Sequence, residues 1–139
     1  MKANLTILIY VFASFIATAQ SDTVFRLTTN FKGDEYEFAI DKGLLATTPK
    51  WGENDSCPPL DPKRARSIAV NYVRQKWEDG EWTTDSISLK PIGKEWIYVV
   101  QLTPPVPSNG FNGMMTPVKI VVLMNGSVAP IKGNKGVAH

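Results

Sequence analysis

This 139-residue chain predicts an α+β domain in which one helix is packed on a curved antiparallel sheet, in the order ββ-α-βββ(β). Three observations carry that expectation. Residues 62–78 hold one apolar stripe at helical spacing. Several other segments alternate in the two-residue period of strands. Turn residues of the hairpin type, above all Asn125-Gly126, separate them. The composition agrees: 43% hydrophobic, 20% charged and 10% aromatic residues fit one soluble globular domain and exclude a disordered, collagen-like or multi-span membrane chain. A (β/α)₈ barrel, which needs about 250 residues, is excluded by length.

Residues 1–19 read as a signal peptide. Lys2 supplies a short positive segment, residues 5–17 are almost wholly apolar, and Ala17-Thr18-Ala19 has the small-x-small form of a cleavage site. The apolar run is shorter than the roughly twenty residues that a membrane span needs. Cleavage after Ala19 starts the mature chain at Gln20 and predicts an exported protein, periplasmic or secreted. A membrane association is expected only if this segment stays uncleaved. Without Lys2 the mature chain has 14 basic and 13 acidic residues, a net charge of +1. That near-neutrality gives no global field for nucleic acid. The expected organisation is a single domain over 20–131 and a flexible, glycine-rich tail over 132–139.

Within the domain, residues 23–29 and 35–40 are rich in β-formers and flank Asn30-Phe31-Lys32-Gly33-Asp34, which predicts a hairpin. Residues 41–61 form a long loop, with a short extra strand expected over 44–47. The helix begins at Pro62 behind Asp61, whose carboxylate suits an N-cap while proline suits the first helical position. Ala65, Ile68, Ala69, Tyr72, Val73 and Trp77 form its apolar stripe, and Gly80 is expected to end it. Lys63, Arg64, Arg66 and Arg74 lie off the stripe and read as a solvated face. Lys63 and Arg64 oppose the helix dipole, and the nearby acidic residues Glu78, Asp79, Glu81 and Asp85 are candidates to hold them.

Strands are expected over 84–90, with one wet face, over 95–103 and over 118–124. Asn125-Gly126 then leads to a short edge strand over 127–131, blunted by Pro130. One helix covers only one sheet face. The opposite face, with Ile97, Val99, Val121 and Leu123, needs cover from the loops at 41–61 and 104–116 or from another chain. A protein partner or a homo-oligomer is expected on that ground.

The opening Pro59-Leu60-Asp61-Pro62-Lys63-Arg64-Ala65 with Ile68-Ala69, the strand Trp96-Ile97-Tyr98-Val99-Val100 and the hairpin Val121-Val122-Leu123-Met124-Asn125-Gly126-Ser127-Val128 together resemble the small exported PepSY-like domains. The resemblance covers residues 59–131, and a cystatin-like sheet around a helix is the broader analogue. It implies a helix on a short antiparallel sheet and a role in protease regulation or ligand binding outside the cytoplasm. It carries over no catalytic residue. The Gln-x-Val-x-Gly loop of inhibitory cystatins is absent.

Catalytic chemistry finds little support. His139, the one histidine, ends the chain, so neither a nucleophile–histidine pair nor a zinc ligand set is expected. The carboxylates Asp34, Glu35 and Glu37, and Glu78, Asp79 and Glu81, border turns where solvated charge is the usual reason. Glu53-Asn54-Asp55 lacks EF-hand spacing. No phosphate-binding glycine loop or dinucleotide fingerprint occurs, and no cofactor is expected. Cys57, the single cysteine, reads as a semi-buried structural thiol. The chain therefore reads as a non-enzymatic binding or regulatory module whose ligand the sequence does not identify, a protein being one candidate. Trp51, Phe111, Met114 and Met115 are its candidate contacts. The alternative is a carbohydrate- or envelope-polymer-binding domain using Trp51 and Trp82, although both indoles could equally cover sheet edges.

Overall fold

The computed structural model describes residues 22–107 and 115–135. The expected signal segment, Phe111, Met114 and residues 136–139 lie outside the described residues. The described order is β1 (Thr23–Phe31), β2 (Asp34–Asp41), α1 (Lys42–Ala46), α2 (Pro62–Lys76), β3 (Thr83–Ile92), β4 (Glu95–Thr103), β5 (Val118–Leu123) and β6 (Ile131–Lys135). The α+β class is thus present. The strands, however, form two three-stranded antiparallel sheets, β1-β2-β6 and β3-β4-β5, where one curved sheet was expected.

The division follows from Pro130. Val128 bridges to Val122, and the Ala129 N–H donates to Val121 O at 2.9 Å, so the chain leaving β5 first pairs back onto it. Proline has no N–H with which to continue that ladder. Its carbonyl instead accepts from the Ala39 N–H at 3.1 Å, and β6 then runs antiparallel to β2. The stretch expected to be a blunted edge strand is therefore the crossing between sheets. Part of the expected flexible tail, residues 132–135, is strand. A second link is the Lys119 N–H, which donates to Thr29 Oγ1 at 2.9 Å.

The local turns obey their chemistry. Lys32 and Gly33 both have positive φ (51° and 84°), the two-residue hairpin turn that suits the twist of paired strands. The Asn125-Gly126 hairpin differs from expectation, because only Gly126 takes positive φ (85°). Gly126 N–H donates to Leu123 O, and Leu123 N–H to Ser127 O, which is a type I turn followed by a left-handed glycine.

The expected short strand over 44–47 is the single helical turn α1. Leucine and alanine favour helix, and the Thr47 and Thr48 hydroxyls close the turn by donating to Leu44 O and Leu45 O at 2.6 and 2.7 Å. Helix α2 begins as expected: the Lys63 N–H donates to Asp61 Oδ1 at 2.7 Å, with Pro62 in the first turn. Asp61→Ala is expected to lower stability by about 1 kcal/mol. Urea denaturation followed by far-UV circular dichroism checks it, and an unchanged midpoint would show that the cap carries no weight. At the other end the Trp77 and Glu78 N–H groups both donate to Val73 O. Gly80 lies beyond this cap, so it does not terminate the helix as expected.

Ala65, Ala69 and Val73 are fully buried, and one hydrophobic cluster joins them to residues of both sheets and of α1. The small side chains at 65 and 69 let α2 approach the sheet closely. Register and alternation put Tyr98, Val100, Leu102, Val118, Ile120 and Val122 on the sheet face toward α2. Tyr98 donates its hydroxyl to Leu60 O at 2.6 Å, just ahead of the helix. Burial, then the charge of Asp61, raises its phenol pKa. Toward its C-terminal end α2 meets the other sheet: Trp77 stacks on Phe31 at 5.1 Å and contacts Tyr36 at 5.0 Å, and Tyr72 faces Phe38. On the opposite face Ile97, Val99, Val121 and Leu123 are also buried, at 6% exposure or less. The chain itself covers them.

Candidate functional site

Of the five residues expected to make contacts, Trp51, Trp82 and Met115 are described, and Trp82 does not lie on the surface. Trp82 is buried, 8% exposed, with its ring 5.7 Å from that of Phe31 and its indole N–H donating to Glu78 O at 2.8 Å. It offers no ring face to a sugar. The reason is non-local: the β1–β2 hairpin brings Phe31 against the end of α2, and the apolar pocket so formed takes the indole. Met115 is half-buried just ahead of β5. Phe111 and Met114 lie outside the described residues.

Trp51 stands apart. It lies in the loop between α1 and α2 and is half-buried. Its indole N–H donates to Asp55 O at 3.0 Å. The Gly52 N–H donates to Asp55 Oδ2 at 2.9 Å, and the Asp55 N–H returns to Gly52 O at 3.0 Å. Aspartate closing its own turn in this way is why a loop with no regular structure still holds one shape. Trp51 meets Trp96 of β4 edge to face, with centroids 5.2 Å apart and planes at 64°. Trp51, Gly52, Glu53, Asp55 and Trp96 line an open cleft of about 220 Å³. The neighbouring Lys50 ammonium pairs with Glu95 Oε1 and ties the loop to the β3–β4 hairpin.

Sequence reasoning placed Trp96 in the core and did not join it to Trp51. Nothing local could have done so, because the two lie 45 positions apart and meet only when the loop folds over the hairpin. In the sequence Glu53 and Asp55 read only as acidic loop residues without EF-hand spacing. Among the described residues, no group of three or more histidine, cysteine or acidic side chains is placed to hold a metal ion.

Of the six carboxylates that could do acid–base work, Glu37, Glu78 and Asp79 are engaged by cations. Glu37 pairs with Arg26 at 3.2 Å and Glu78 with Lys32 at 3.4 Å. Asp79 accepts from Arg74 Nε and from the Gly80 N–H, both at 2.9 Å. The Arg74 hydrogen bond first, then that of Gly80, lowers its pKa, the opposite of what a general acid needs. Arg66 donates to Thr84 Oγ1 at 3.0 Å, whereas Lys63 and Arg64 have no acidic partner among the described residues. Cys57 is exposed, where a semi-buried thiol was expected. The loop anchors itself through Leu60 and the Trp51 turn, and leaves residues 52–57 in solvent.

The described part is thus a small α+β domain of two antiparallel sheets and one main helix, with a tryptophan cleft beside the β3–β4 hairpin. Neither a family model, nor a curated protein, nor a solved structure matches this chain. Among the described residues no helix is long and apolar enough to cross a membrane.

Proposed function

We propose that the chain is an exported, non-enzymatic binding or regulatory module whose contact surface is the Trp51 loop on the β3–β4 hairpin. The observation that carries this reading is the Trp51–Trp96 pair. Two indoles are held in fixed geometry by hydrogen bonds and ring contact, yet face an open cleft. A rigid, partly exposed tryptophan loses little freedom on binding and buries a large area, which is why tryptophan is enriched among interface anchors. The sequence resemblance of residues 59–131 to PepSY-like domains would suit a regulatory protein ligand; fold analogy alone does not identify a function. Export through residues 1–19, with a mature chain beginning at Gln20, belongs to the same proposal.

The test is affinity capture from the extracytoplasmic fraction with tagged protein, together with intact-mass analysis. Trp51→Ala is expected to reduce recovery of a stoichiometric protein partner at least tenfold without changing the unfolding midpoint by more than a few degrees. Undiminished capture by that variant would remove this surface from the proposal, and a mass retaining residues 1–19 would remove export.

A second reading, a carbohydrate- or envelope-polymer-binding domain, is favoured by one feature of the same cleft. Glu53 and Asp55 set hydroxyl acceptors beside an aromatic wall. It predicts quenching or shift of tryptophan fluorescence with a glycan, lost in Trp51→Ala. A glycan array without signal would eliminate it.

A further inference from the structure

A second, larger hollow lies on the other side of the Lys50–Glu95 pair. It has a volume of about 550 Å³, within the roughly 300–1,000 Å³ usual for small-molecule sites. Its apolar wall comes from three separate elements: Val24 from β1, Leu45 and Ala46 from α1, and Ile92 from the end of β3. Val24 is 42% exposed and is one of only two large hydrophobic side chains left exposed among the described residues. Gly93 completes the floor, with nothing within 4 Å of where a Cβ would stand.

The charged lining is unbalanced. Lys42, Lys50 and Lys94 face one acid, Glu95, and Lys50 neutralises it. Lys42 and Lys94 have no ion pair among the described residues. An apolar wall beside two unopposed ammonium groups is complementary to a molecule with an apolar body and a negative head. It is a poor match for a cation, and a neutral sugar would leave both features unused. The rim holds no arginine, the residue whose planar fork suits phosphate, so lysine point charges favour a simple carboxylate.

We propose that this hollow binds a small amphipathic anion, an alkyl chain ending in one carboxylate, with the chain against Val24, Leu45, Ala46 and Ile92 and the head between Lys42 and Lys94. The site is separate from the Trp51 cleft, so either proposal can fail alone.

The test uses decanoate below its micelle concentration, added to ¹⁵N-labelled protein. Decanol and decyltrimethylammonium serve as neutral and cationic matches of equal chain length. Saturable amide shifts centred on Val24, Leu45 and Gly93 are expected, with decanoate binding at least tenfold more tightly than decanol and the cation not binding. Lys42→Glu with Lys94→Glu should abolish the preference over decanol while keeping the folded spectrum, since both side chains are exposed. Glu95→Gln removes the one negative charge in the lining and should tighten decanoate binding several-fold, an effect that loss of a structural contact would not produce. Trp51→Ala should leave the affinity within about twofold. Shifts elsewhere on the surface, equal binding of decanol, preference for the cation, or no saturation would each overturn the assignment.

Discussion

Trp82→Ala is expected to lower the unfolding free energy by about 3–5 kcal/mol, the range for removing a buried aromatic ring. The ring is 8% exposed and packs against Phe31, which itself stacks on Trp77. Its loss opens a cavity where the β1-β2-β6 sheet meets the end of α2. Trp82→Phe separates packing from hydrogen bonding. It keeps most of the ring but leaves Glu78 O without the donor now at 2.8 Å, and should cost about 1 kcal/mol beyond the smaller ring volume. Trp77→Phe is the internal contrast. The Trp77 indole N–H is buried without an acceptor, so removing it relieves a desolvated donor, and this variant should be the better tolerated of the two. Urea titrations of the three variants decide the matter. A Trp82→Ala protein as stable as the parent, but unable to bind a ligand, would return Trp82 to the contact surface.

Gly80→Ala is expected to cost about 2–4 kcal/mol, large for the addition of one methyl group. Gly80 has φ of +138°, a region that residues with a Cβ rarely enter. A Cβ placed there would stand 2.9 Å from Pro105 Cγ and 3.2 Å from its Cβ. The proline ring is not the far end of a flexible chain and cannot swing aside. Relief would therefore have to come from the backbone joining α2 to β3. The comparison is Gly93→Ala, where φ is +61° and nothing lies within 4 Å of the new methyl. That change should cost only about 1 kcal/mol. Thermal unfolding of the pair checks both, and equal losses would show that backbone strain alone, without the Pro105 contact, sets the cost.

Gly80 also illustrates how a correct residue can carry the wrong reason. Past the expected end of a helix, glycine reads as the terminator. In the fold α2 has already closed on Val73 O, and Gly80 is required by a proline 25 positions away. Trp82 follows the same pattern: its position just past a turn left it free to be a surface aromatic, and only Phe31 made it core. Of the candidate cleft, Trp51 was legible because proline and glycine around a tryptophan mark an unusual loop. Trp96 was not legible as its companion, since its alternation with Tyr98 and Val100 is equally that of a buried strand position.

What the chain specifies by itself is whatever depends on neighbours a few positions away. The hairpin at Lys32-Gly33, the Asp61–Pro62 start of α2, the apolar stripe from Ala65 to Trp77 and the limits of β4 all follow from local conformational preference and period. Tertiary structure decided the rest. The partner of β6 is β2, almost a hundred residues earlier: Pro130, lacking an N–H, ends one ladder, and the Ala39 N–H that donates to its carbonyl starts the pairing with the other sheet. The cover over Ile97, Val99, Val121 and Leu123 and the pairing of Trp51 with Trp96 are of the same kind. Burial and strand partnership are properties of the packed molecule. They are set by which apolar faces find one another on collapse, and a period in the sequence specifies a face without specifying what meets it.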